Sequence, residues 1–179
     1  MATPWNVLAT AAEGRRDALL IGLKRLGRFR PAGYRNVVIG MVDDPAAFLE
    51  QVRASLASDP LLPTALGKVV PIEVVVRFEP GAPVAELAAA AEPLLAHLAG
   101  GSFFVRVERR GLKGRLHSPT VERELGDHVW GVLAARGHTP RVDFRDPDVV
   151  LVVETLGDQA GLGVVTRARR AAYPFVRVR

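Results

Sequence analysis

The triplet Glu79-Pro80-Gly81 constrains this chain more than any other feature, because it sets two residues that interrupt helix and strand between stretches of different hydrophobic organisation. A chain of 179 residues can bury one ordinary core or two small ones, and this break selects two. Before it, residues 5–10 (WNVLAT) read as a buried strand. Leu19, Leu20, Leu23 and Leu26 follow at helical spacing, with Gly27 where a C-terminal cap is expected. Residues 34–42 (YRNVVIGMV) form a second strand. Asp43-Asp44-Pro45 then opens a helix whose core face is Phe48, Leu49, Val52 and Leu56. Pro60 and Pro63 punctuate a loop, and residues 71–78 (PIEVVVRF) read as a third strand with Glu73 and Arg77 on one face. The pattern is β-α-β-α-β over residues 1–80.

Beyond the break, Val84, Leu87, Ala88, Ala91, Leu95 and Leu98 share a helical face that Pro93 must kink or divide. Residues 102–110 (SFFVRVERR) alternate, Phe103, Val105 and Val107 pointing one way and Phe104, Arg106, Glu108 and Arg110 the other. After a turn at 111–114, Ser118 reads as an N-cap and Pro119 as the first helical residue. Val121, Leu125, Val129, Val132 and Leu133 form that helix's apolar stripe, which Gly137 ends. Residues 139–144 and 149–154 are expected to pair as a hairpin around Arg145-Asp146-Pro147-Asp148. Residues 161–167 make a last strand, and the tail 173–179 (YPFVRVR) alternates apolar and basic residues.

Much chemistry is excluded. Without cysteine there is no disulfide, thiolate nucleophile or sulfur-ligated zinc, and His97, His117, His128 and His138 share no ligand spacing, so no metal is expected. Asp143, Asp146 and Asp148 read as caps of a proline turn rather than a cation site. The glycines at 157, 161 and 163 lack the spacing of a dinucleotide loop and read as a turn, and no Walker A, G-x-S-x-G or H-E-x-x-H motif occurs. No cofactor is expected. The longest uncharged run, residues 93–105, is 13 residues long, whereas a membrane span needs about 18–20. No basic segment precedes the first apolar stretch, so the chain is read as soluble and cytoplasmic, without a membrane partner.

Charge supplies the positive signal. Residues 1–100 are balanced, whereas residues 101–179 hold 14 basic and 9 acidic side chains, the whole of the +5 net charge. The densest cluster is Arg106, Arg109, Arg110, Lys113, Arg115 and His117, in a strand end and a glycine-bounded loop that leads to Ser118. There, flexible cations and a helix N-terminus suit a phosphate backbone. The competing reading is a solvated loop with Glu108 neutralising a neighbour. Arg141 joins the candidates, and Arg167, Arg169, Arg170, Arg177 and Arg179 form a second basic cluster that reads equally as a charge-protected surface or edge. Trp130 lies about 180° around its helix from Val121 and outside the apolar stripe. Burial beneath the neighbouring domain is expected for it, ahead of base stacking or partner anchoring.

The run SFFVRVERRGLKGRLHSPTVERELGDHVWGVL, continued by PRVDFRDPDVVLVVE, resembles the THUMP domain of RNA-modifying proteins. Its F-x-V-R-x-x-R-R-G strand, S-x-x-V-x-x-x-L-G helix and V-D-h-x-x-P-D-x-x-h-x-V-E segment occur in that order and spacing. The preceding segment resembles the ferredoxin-like domain that accompanies THUMP in several such proteins. The resemblance implies an α+β chain with an N-terminal ferredoxin-like domain at 1–80 and a THUMP domain at 81–179. It also implies recognition of the tRNA acceptor stem without catalysis. In layout, and in VERRG and YPFVRV, the chain is similar to stand-alone THUMP adaptors of tRNA cytidine N4-acetylation. The implied partners are therefore tRNA and a tRNA cytidine acetyltransferase or other tRNA-modifying enzyme. The alternatives are an RNA-modifying enzyme whose site the sequence does not display, and a protein interaction module with an exposed apolar surface.

Overall fold

The computed structural model describes residues 4–178; the first three residues, and Arg179 of the second basic cluster, lie outside them. The chain divides into two compact units. The first runs to Ile72 and includes Arg170–Arg177, and the second comprises Glu73–Arg169 with Val178.

The first unit carries β1 (Val7–Ala11), α1 (Arg16–Leu23), β2 (Arg28–Pro31), β3 (Val37–Met41), α2 (Pro45–Ser58), α3 (Leu62–Ala65) and β4 (Leu66–Pro71). Its sheet runs β2-β3-β1-β4 with every neighbour antiparallel, the split βαβ order of a ferredoxin-like fold. Asp44 starts α2 by accepting the amides of Ala46 (2.9 Å) and Ala47 (3.3 Å), ahead of Pro45 in the first turn. The β-α-β-α-β reading lacked β2, whose RFRP sequence exposes Arg28 and Arg30 and ends on proline, as an edge strand tolerates. Its one buried side chain, Phe29, lies over Gly40, where a Cβ would come within 2.3 Å of the ring. Gly27 does not cap α1; the helix ends at Leu23 with Lys24 in right-handed geometry.

The strand expected at 71–78 is divided. Its first residue closes β4 in this sheet, while β5 (Val74–Arg77) belongs to the second. The change of unit falls between Ile72 and Glu73, ahead of the Glu79-Pro80-Gly81 turn at which the sequence suggests a boundary. A helix not read from the sequence, α6 (Arg167–Ala172), precedes the tail. Within the first unit the tail lies along β4: the Val69 amide donates to the Phe175 carbonyl at 2.9 Å, Val176 is buried and Arg177 Nη2 reaches the Gly67 carbonyl at 2.5 Å.

The second unit adds α4 (Val84–Ala91), a 3₁₀ turn at Glu92–His97 begun by Pro93, β6 (Ser102–Glu108), α5 (Ser118–Ala135), β7 (Arg141–Val142), β8 (Val149–Leu156) and β9 (Gln159–Thr166). Its sheet runs β5-β9-β8-β6-β7, parallel at β8-β6 and β6-β7 and antiparallel elsewhere. Leu87 of α4 and Leu125, Val129 and Leu133 of α5 pack in one core with Phe103, Val105 and Val107, the face that alternation selects. The expected hairpin of 139–144 with 149–154 does not form, because β6 lies between β7 and β8. Two aspartates impose this. Asp143 accepts the amides of Arg145 (2.8 Å) and Asp146 (3.1 Å) and so turns the chain off the sheet after β7. Asp148 then takes the Ser102 amide at 2.7 Å and its hydroxyl at 3.1 Å, setting the start of β8 beside the start of β6. The approach leaves no room at Gly101, where a Cβ would lie 2.2 Å from Asp148 Oδ2. The hairpin that does form joins β8 to β9 through Gly157, at φ +64°. Among the described residues, no helix is long and apolar enough to cross a membrane.

Candidate nucleic-acid interface

The basic loop between β6 and α5 is a built structure rather than a flexible arm. Gly111 (φ +80°), Leu112 (+53°) and Gly114 (+78°) all take left-handed backbone, which is costly for leucine. The Leu112 carbonyl accepts the amides of Arg115 (2.9 Å) and Leu116 (3.0 Å), and the Leu116 side chain is buried. Arg110 fixes the loop to the β8-β9 hairpin. Its amide donates to Thr155 Oγ1 at 3.0 Å, its carbonyl accepts from Gly157 at 2.8 Å, and its guanidinium is paired with Glu154. With side-chain exposures of 15% and 1%, that pair is structural, and Arg110 is removed from the outward-facing cations.

The start of α5 also differs from expectation. His117, in extended geometry, is the N-cap, and Ser118 is already helical; no side chain caps the first turn. His117 Nδ1 lies 2.7 Å from Thr120 Oγ1. The helix therefore opens into a hollow of about 420 Å³ whose polar walls are Arg109, Arg115, His117 and Ser118. Arg109 Nη1 is steadied on the Gly111 carbonyl at 2.5 Å, and Lys113 is exposed on the same loop. The positive end of an 18-residue helix thus faces a concavity walled by two guanidiniums and an imidazole, an arrangement that suits a phosphate.

The remaining sequence candidates do not join this group. Arg106 lies over the Phe104 ring at 5.2 Å and reaches Glu122 Oε1 at 3.4 Å; the same oxygen accepts the Val107 amide at 2.9 Å. Arg167 bonds Asp148 Oδ1 (2.5 Å), Asp146 Oδ1 (3.2 Å) and the Asp146 carbonyl (2.7 Å). The Ser102 amide, followed by Arg167, holds the Asp148 carboxyl below its ordinary range, and Asp146 with Asp148 raises the Arg167 guanidinium above its own. Arg169 Nη1 lies 3.4 Å from the Val164 carbonyl, Arg170 and Arg177 fall in the first unit, and Arg141 is exposed on β7. Trp130 is 47% exposed, and within its own unit its indole N–H donates to the Pro140 carbonyl at 3.2 Å. Sequence reasoning passed over Arg123, exposed one turn after Pro119, and Phe144, exposed to 75%. Helical spacing from Pro119 could have flagged the arginine.

An α/β unit thus opens a basic loop and the start of a long helix onto one hollow. Residues 84–165 match the family model of the THUMP domain, and this part of the chain is a THUMP domain. No curated protein matches the chain in sequence. Among solved structures it is similar to TrmN from Thermus thermophilus, with a TM-score of 0.62, 24% identity, and coverage of 88% of this chain and 44% of that one. It is also similar to a 4-thiouridine synthetase solved with RNA and ATP (TM-score 0.57, 15% identity, 90% and 41% covered). A third is a predicted N6-adenine-specific DNA methylase from Listeria monocytogenes (TM-score 0.52, 18% identity, 89% and 40% covered). The chain spans less than half the length of these three structures. The expectation that this chain stands apart from enzymes is corrected by these neighbours, since the synthetase and the methylase are described as enzymes.

Proposed function

We propose that the chain is the RNA-binding part of a tRNA-modifying enzyme of the cytoplasm. It grips tRNA near the acceptor stem so that a catalytic domain, on the same polypeptide or on a partner such as a cytidine acetyltransferase, meets its target nucleotide. The observation that carries this reading is the basic hollow at the start of α5, inside a THUMP domain. A phosphate seated there accepts from Arg109 and Arg115 and completes the helix dipole, while Lys113 reaches a neighbouring phosphate. The 4-thiouridine synthetase complexed with RNA supports the choice of polyanion, and the excess of basic residues in 101–179 supports it independently. Arg106, Arg110 and Arg167 act from behind, as struts of the fold. Filter binding of unmodified tRNA, with Arg109, Lys113 and Arg115 replaced together by alanine and a matched set of Arg169, Arg170 and Arg177, tests the assignment. The loop set is expected to lose about tenfold or more in affinity and the matched set much less. Equal losses would contradict the assignment to the loop.

A further inference from the structure

The basic loop is held from behind by the end of one strand. Strand β8 is apolar from Val149 to Val153 and then carries Glu154 and Thr155, which are 1% and 0% exposed. Among the described residues the buried polar side chains are these two and Ser102, and Glu154 and Thr155 both meet Arg110. Glu154 pairs with its guanidinium. Thr155 Oγ1 accepts the Arg110 amide at 3.0 Å and lies 3.4 Å from the Arg110 carbonyl, which also takes the Gly157 amide at 2.8 Å. A branched side chain suits a strand, and valine would supply that shape as well as threonine does. What threonine adds is the hydroxyl, and its partners among the described residues are the two main-chain groups of Arg110.

Beyond Arg110 the loop alternates between residues pinned to the unit and residues that carry charge outward. Leu112 packs against the core and Leu116 is buried, whereas Lys113, Arg115 and His117 are exposed. Gly111, Leu112 and Gly114 are left-handed, a conformation that an untethered loop would not keep at leucine. Arg109, just before the clamp, walls the hollow together with Arg115. The apex of the clamping hairpin is itself fixed: the Asp158 carbonyl takes the Phe78 amide at 3.0 Å, and its carboxylate meets Arg77 Nη1 at 3.0 Å. Arg110 therefore ties the loop to the sheet at a point that lies, in sequence, between the two guanidiniums of the hollow.

We propose that Thr155 is a positioning residue for RNA binding. Its buried hydroxyl touches no RNA; it holds the Arg110 main chain, and through it keeps Arg109 and Arg115 aimed at one phosphate before RNA arrives. The loop is then ordered on folding rather than on binding, which spares affinity the cost of ordering it. This role rests on the RNA reading of the loop at 109–117 and adds to it a residue that does not line the hollow. A residue of this kind has its own signature. Losing a phosphate contact lowers the salt slope, whereas loosening the loop weakens affinity at every salt concentration and leaves the slope as it was.

The test uses the full chain with Thr155→Val, which keeps the shape without the hydroxyl, Thr155→Ser, which keeps the hydroxyl, and Leu49→Ala, which opens a cavity in the core of the first unit. Unmodified tRNA is titrated by filter binding from low to physiological salt, below the melting transition of every variant. Thr155→Val is expected to lose about fivefold to tenfold in affinity at an unchanged salt slope, and to speed hydrogen exchange at the Arg115 and Leu116 amides about tenfold. Thr155→Ser should bind within about twofold of wild type, and so should Leu49→Ala, although its melting temperature falls at least as far as that of Thr155→Val. The role is overturned if Thr155→Val binds as wild type does, if Leu49→Ala weakens binding equally, or if serine fails to restore affinity. It is also overturned if the slope falls together with affinity, the mark of a lost phosphate contact. The RNA reading is judged separately, on the triple variant of Arg109, Lys113 and Arg115. Unchanged affinity there overturns both, whereas a weakened triple variant beside a normal Thr155→Val overturns the positioning role alone.

Discussion

At the scale of single residues, the charged positions of the THUMP segment divide into those that hold the fold and those that face outward. Arg110 and Glu154 belong to the first kind, since both are largely withdrawn from water and Arg110 also anchors the loop by its backbone. Glu154→Gln removes the counter-charge but keeps the volume, and should cost about 3 kcal/mol of stability, read as a lowered urea midpoint at unchanged slope. A midpoint within error of wild type would show that the pair is dispensable. Asp148 and Asp143 are also of this kind, their carboxyls held below the ordinary 3.8 by backbone amides first and by Arg167 as well. A lowered folded pKa gives stabilisation that is complete above the unfolded value and is lost as pH falls through the folded one. Stability should therefore be insensitive to these groups from pH 7 to about 4 and fall below that. Asp148→Asn should flatten the acid limb of a stability-against-pH curve while lowering the neutral plateau; an unchanged acid limb would remove Asp148 from the account.

At the scale of elements, α5 was the most legible part of the sequence, because Val121, Leu125, Val129 and Leu133 are the buried stripe that helical periodicity selects. Strand β6 was legible for the same kind of reason. What escaped were elements whose partners lie far away in sequence. RFRP carries no apolar alternation, and only Gly40 opposite Phe29 explains why it pairs as β2. Residues 139–144 and 149–154 look like a hairpin because a proline turn separates them, and the long-range bonds of Asp148 to Ser102 decide otherwise. The cluster of cations at 106–117 was visible in sequence, but which of them turn inward depended on Glu122 and Glu154, 16 and 44 residues away. Helix α5 also offers a clean test of local propensity. A Cβ at Gly131 meets nothing within 4 Å, so Gly131→Ala should stabilise the protein by about 1 kcal/mol and raise the melting temperature by a few degrees. Destabilisation would mean that this face of α5 is occupied.

At the scale of the whole molecule, the proposal that the chain binds tRNA draws on the net charge, the THUMP match and the geometry of one loop. The central claim is that phosphates are neutralised by that loop in particular, and affinity at a single salt concentration cannot separate this from general attraction to a basic protein. The salt slope can. Each phosphate contact contributes about one unit to the fall of log affinity with log salt concentration, through release of condensed counterions. The most direct measurement is therefore tRNA affinity from low to physiological salt, for wild type and for the Arg109→Ala, Lys113→Ala, Arg115→Ala triple variant. A steep wild-type slope, reduced by about two to three units in the variant, is the predicted result. An unchanged slope, or affinity that ignores salt in the wild type, would contradict it.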